Sequence, residues 1–149
     1  MQFKGDQFVP LPPEAVWPRL SDAAFLAGSL TDVEVTRAEH DFAAWKVRPA
    51  LAFAAGTLDI TMAITDRVPP SEMRAKLVSK GIGATSTVQT HLSLTPQDEG
   101  TKIHWEAAIT ELTGLLKMVP KGLIESSARK VIEDVWANMA ARLTNEPKV

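Results

Sequence analysis

The chain has no cysteine among its 149 residues. That excludes disulfides, thiolate nucleophiles and cysteine-ligated zinc or iron–sulfur centres. Long apolar runs are also missing: none reaches the roughly 18 residues of a membrane-spanning helix. The opening Met1-Gln2-Phe3-Lys4-Gly5-Asp6 lacks the apolar core of a signal peptide, so a cytoplasmic setting is expected. Charge of one sign is scarce. The 16 basic and 18 acidic residues are interspersed for a net -2, and no basic stripe carries interleaved aromatics, so nucleic acid is not an expected partner. No Gly-x-Ser-x-Gly elbow is present, and Gly81-x-Gly83 lacks the continuation of a phosphate loop. The three histidines, His40, His91 and His104, fall in a predicted turn or on the polar phase of strands and read as solvated. No catalytic residue, metal site or cofactor is assigned on this basis.

What the chain does have is pattern. Apolar residues make up 45% and are spread along its length. One domain over residues 1–149 is expected, large enough to bury roughly two-thirds of its unfolded surface. Phe3 to Val9 reads as a first strand stopped by Pro10, Pro12 and Pro13. Pro12, Pro13 and Glu14 suit the opening of a short helix, which Pro18 keeps short or bent. Ser21 or Asp22 can cap a second helix, Ala23 to Ala27, closed by Gly28. Val33 to Ala38 and Phe42 to Arg48 suggest a hairpin. Four further segments alternate with a period of two: around Leu58 to Thr65, Met73 to Val78, Thr87 to Leu94, and Lys102 to Thr110. Such alternation is the mark of an antiparallel sheet with one buried and one wet face.

The last third changes period. Leu116, Val119, Leu123, Ile124, Val131, Ile132, Val135, Trp136, Met139 and Leu143 recur at spacings of three and four, forming one apolar stripe. Unbroken, about 30 residues would make a rod of about 45 Å, with a bend expected at Pro120-Lys121-Gly122. The fold class is α+β: a curved antiparallel sheet of about seven strands wrapped around a long C-terminal helix, with two short helices after the first strand.

Several motifs recur in a fixed order: Phe3-x-Gly5, then Pro13-Glu14-x-Val16-Trp17-x-x-Leu20-Ser21-Asp22, Asp66-x-x-Pro69-Pro70, Gly81-x-Gly83, Gly100-Thr101, and Gly114-Leu115-Leu116 leading to Ile124 and Val131-Ile132. In these the chain resembles the helix-grip proteins of the START/polyketide-cyclase superfamily (SRPBCC), and within it the carbon monoxide dehydrogenase G-subunit family. It departs from that family at Gly28-Ser29-Leu30-Thr31-Asp32, where members often carry a Leu-Pro-Gly-Cys segment, and in its polar end Asn145 to Val149. The membrane anchor of some members therefore does not transfer. The resemblance implies a cavity between sheet and helix, and roles in carrying a quinone-like lipid or assisting a carbon monoxide dehydrogenase.

By shared phase, the expected ligand-binding residues are Trp45, Phe53, Ile60, Met62, Leu77, Val88, Thr90, Leu92, Trp105, Leu116, Val119 and Leu123. Leu26 and Leu30, flanking Gly28, are expected at the mouth. Thr90, Ser79 and Glu111 sit on the inward phase as polar groups that would orient a ligand, or else bond to backbone or water. Three functions stay open: a noncatalytic carrier of a small hydrophobic ligand, a cyclase/dehydratase using Glu111 or a histidine as acid–base, and an assembly factor docking on a partner enzyme.

Overall fold

Alternating side chains pull most of the chain into a single meander. The computed structural model describes residues 1–48, 56–81 and 83–145. Its strands are β1 (Gln2–Val9), β2 (Val33–Ala38), β3 (Phe42–Val47), β4 (Leu58–Val68), β5 (Glu72–Gly81), β6 (Ala84–Gln97) and β7 (Gly100–Gly114). They form one antiparallel seven-stranded sheet in the order β1-β7-β6-β5-β4-β3-β2. The chain thus leaves β1 at one edge, crosses to the other edge through α1 (Pro13–Leu20) and α2 (Ala23–Gly28), and returns strand by strand. Proline opens α1 and Asp22 caps α2 by accepting from the Ala24 amide at 3.0 Å.

The C-terminal helix differs from the expected unbroken rod. A 3-10 turn at Leu115–Met118 is followed by Val119 and Pro120, and only then does α3 run from Lys121 to Asn145. Pro120 lacks an amide donor, and its carbonyl accepts from the Leu123 and Ile124 amides, so it starts a helix instead of bending one. The stripe is also narrower than its spacing suggested. Leu123 is 43% exposed and Val131 56%, whereas Ile124, Trp136, Met139 and Leu143 are buried. Among the described residues no helix is long and apolar enough to cross a membrane.

The main core lies between α3 and the β1-β7-β6 side of the sheet. Phe3, Val9, Leu92, Leu94, Ile103 and Trp105 from the strands meet Val16 and Leu20 of α1 and the buried residues of the second half of α3. Its centre is a stacked pair, Trp105 and Trp136, with ring centroids 6.2 Å apart and planes 20° from parallel. Gly5 stands opposite Trp105 in the register. A Cβ there would lie 2.7 Å from Trp105 Cζ2, so only glycine lets the indole rest on the β1 backbone. Gly5→Ala is therefore expected to displace the ring and cost about 1–3 kcal/mol, as overpacking does. Urea denaturation followed by tryptophan fluorescence measures this; an unchanged midpoint would show that the pair does not depend on the missing side chain.

Candidate functional site

Cross-strand register decides which side chains share the concave face. Trp45 stands opposite Ile60, Ala43 opposite Met62, Met62 opposite Leu77, and Leu77 opposite Val88. Val88 then faces Ile109, Thr90 lies between Ala75 and Ala107, and Leu92 between Met73 and Trp105. The structure thus brings Trp45, Ile60, Met62, Leu77, Val88, Thr90, Leu92 and Trp105 onto one continuous inner surface. The Thr90 hydroxyl donates to the Ala75 carbonyl at 3.2 Å, a cross-strand bond that stabilises the sheet. Phe53 and the side chain of Leu116 lie outside the described residues. Val119 is half-buried just before α3, and Leu123 turns away to solvent.

Two β-bulges re-aim polar residues. Thr87 pairs with Glu111 and Val88 with Ile109, so Thr110 is the extra residue and Glu111 goes to the outer face. The inward phase is taken up by Leu112 opposite Ser86. The expected inward Glu111 is thereby corrected, because a one-residue insertion flips every side chain beyond it. On β4 a shift between Ile64 and Asp66 does the reverse: Asp66 is exposed and Arg67, opposite Met73, comes onto the inner phase. Apart from Arg67, the inner positions of β4 to β7 carry no charged residue and no histidine among the described residues.

The two ends of this face differ. Where α1 and α2 cross, Met73, Leu92, Leu94 and Ile103 are buried and the polar groups are paired. Arg67 donates to the Ser21 carbonyl at 2.8 and 3.1 Å, to the His40 carbonyl at 2.9 Å, and to the Asp41 carboxylate. Arg142 of α3 donates from Nη1 to the Phe25 carbonyl at 3.0 Å and the Ser29 hydroxyl at 2.9 Å, and it lies 4.3 Å over the Phe25 ring. Asn138 donates to the Ser29 carbonyl at 3.2 Å. These bonds occupy the orphan carbonyls at the end of α2. A Cβ on Gly28 would meet Arg142 Nη1 at 3.1 Å. Leu26 is half-buried and touches both apolar clusters; Leu30, also half-buried, packs on the smaller one around Trp45 and Met62. The loop expected to form the mouth is thus tied to α3.

Toward the opposite end, Ile60, Leu77, Val88 and Ile109 are only half-buried, as are Ser79 and Ser86. In the first half of α3, Ile124 is buried and Ala128 and Ile132 are half-buried. Arg67 and Arg142 were not legible as anchors, since each reaches a carbonyl far away in sequence. The nearest signal was a serine at the end of each short helix, Ser21 and Ser29.

The histidines sit outside. His91 lies 3.0 Å from Glu72, His104 lies 2.9 Å from Asp6, and His40 is 3.6 Å from Asp22. The His104 hydrogen bond holds the Asp6 carboxyl below its ordinary value. No group of three or more such side chains is placed to hold a metal ion among the described residues.

A family model described as polyketide cyclase/dehydrase and lipid transport matches residues 2–144. No curated protein matches the chain significantly. Solved structures with the same fold include a conserved protein from Geobacillus kaustophilus, at TM-score 0.82 and 19% identity, covering 96% of this chain and 95% of that one. A protein from Chromobacterium violaceum reaches TM-score 0.70 at 17% identity over 99% of both chains. A START superfamily protein from Mycobacterium smegmatis reaches 0.67 at 10% identity over 95% of this chain and 96% of that one. At these identities the likeness is one of fold, the START-type helix-grip.

The closed end yields a pH prediction. The hydrogen bond from Arg67 holds the Asp41 carboxyl below its ordinary 3.8. Its stabilisation is therefore present above the unfolded value and lost as pH falls through the folded one. Wild type should exceed Asp41→Asn in urea midpoint near pH 7, with the gap closing below about pH 4. A gap that stays constant down to about pH 2 would show that this pair does not set the acid limb.

Proposed function

Because the chain belongs to the polyketide cyclase/dehydrase and lipid transport family, we propose that it binds a small hydrophobic molecule without turning it over. The ligand class is a lipid, quinone or polyketide-like aromatic, held between the inner face of the sheet and the first half of α3. The observation that carries this reading is the half-buried apolar surface of Ile60, Leu77, Val88 and Ile109 on the inner face of the sheet. Apolar area of this kind gives affinity at about 25 cal/mol per Å² removed from water, with one or two polar contacts for orientation.

An acid–base mechanism has less to work with. Proton transfer needs a titratable group within hydrogen-bond reach of the substrate. The bulge sends Glu111 outward, and the three histidines pair with carboxylates on the surface. The finer likeness to the carbon monoxide dehydrogenase G-subunit family nominates such an enzyme, in the cytoplasm, as recipient of the cargo. That part of the reading rests on the ordered motifs from Phe3-x-Gly5 to Val131-Ile132.

Native mass spectrometry and organic extraction of the purified protein should reveal a copurifying hydrophobic molecule. Val88→Trp tests the location. Val88 is half-buried, so the ring should occupy the ligand's place, weaken binding of a fluorescent lipid probe about ten-fold or more, and leave the melting temperature nearly unchanged. Met62→Trp is the contrasting case. Met62 is 5% exposed, so the same ring should overpack the smaller cluster and cost about 1–3 kcal/mol. A wild type that binds no probe, with Val88→Trp melting as early as Met62→Trp, would mean a filled core and favour a docking factor.

A further inference from the structure

Among the described residues, one buried side-chain polar atom has no hydrogen-bond partner: Nε1 of Trp105. The residue is 9% exposed, and its indole is held from two sides. Trp136 of α3 stacks on it, and its Nε1 edge lies over Gly5, where a Cβ would stand 3.0 Å from Nε1. The N–H therefore lies on the inner face of the sheet, on the β1 side of Trp105 and beside Trp136 of α3. Buried donors are almost always paired, and an orphan is disfavoured by roughly ten-fold relative to a satisfied one. Two polar side chains of the same face are already committed. Thr90 donates to Ala75, and Arg67 serves Ser21, His40 and Asp41.

We infer that the Trp105 N–H is the orienting donor of the ligand site, and that the ligand is an uncharged apolar molecule bearing an acceptor oxygen, such as a ketone, quinone or ester. This rests on the carrier reading above and adds a selection rule to it. A donor with no competing partner favours a molecule that brings an acceptor over an isostere that does not, because only the former ends the N–H's isolation. A carboxylate or phosphate is disfavoured, since the inner strand positions offer no uncommitted cation among the described residues.

The test uses two matched pairs, 9-fluorenone with fluorene and 2-tridecanone with tridecane, titrated into the full chain. The four indole N–H resonances are followed by nitrogen–proton NMR, that of Trp105 being the one missing in Trp105→Phe. For at least one pair, the ketone should bind about ten-fold tighter than its hydrocarbon and move the Trp105 resonance downfield. Trp105→Phe should erase the preference while hydrocarbon affinity persists. If that variant does not fold, the wild-type Trp105 resonance, assigned by sequential triple-resonance NMR instead, decides by its shift. Hydrocarbons binding as tightly as ketones, or ketones binding with the resonance unmoved, would overturn the inference while leaving the carrier reading intact; that result would assign the N–H to a buried water. Binding of none of the four would remove both.

Discussion

The stacking of Trp105 on Trp136 above the bare backbone of Gly5 is where sheet and helix hold each other. An aromatic pair of this kind contributes about 0.5–1.5 kcal/mol beyond the area it buries. Its placement matters more than its strength. Trp136 lies in the second half of α3, and Met139 and Leu143 continue the buried contact toward the C-terminal end. Arg142 and Asn138 then fasten that end to α2 through Phe25 and Ser29. The helix is anchored from one side, and its first half inherits position without equal packing.

Polar chemistry is divided accordingly. At the anchored end the carbonyls left over by α1 and α2 accept from guanidinium and amide groups of distant elements, with Ser21 and Ser29 hydroxyls adding local bonds to Trp17 and Phe25 at 2.7 and 3.0 Å. Arginine suits this task because its planar fork serves several acceptors at once. Along the inner positions of β4 to β7 away from that end, polarity among the described residues is limited to hydroxyls and one indole N–H.

Much of this was legible in the sequence because one face of an antiparallel sheet writes itself as alternation. Trp45, Ile60, Met62, Leu77, Val88, Thr90, Leu92 and Trp105 share the inner face as their phase required, and Pro10, Pro12, Pro69 and Pro70 lie between the elements they were expected to separate. The failures have a common physical origin. Glu111 was assigned inward because counting by twos does not register a bulge, and nothing in Ile109-Thr110-Glu111 marks one. Leu123 and Val131 match the helical spacing but lie where α3 has no partner, and spacing cannot report what stands opposite. Nothing in the sequence marks Arg67 and Arg142 as anchors, since most of their acceptors are backbone carbonyls, which carry no residue-type signal.

The pairing of β1 with β7 has a consequence for how the molecule is made. Gln2 registers with Ala108 and Val9 with Thr101, while the other strands pair with immediate neighbours through turns or short connections. The meander can zip up locally and quickly, but the first strand must wait for the last. Closing a loop of that length carries an entropic cost that grows only slowly with length, so the delay is one of search more than of stability. Until β1 arrives, Trp105 lacks the backbone it rests on, and Trp136 lacks a settled ring to stack upon. The contact between sheet and helix would then be among the last features to form, and the inner face would stay uncovered until it does.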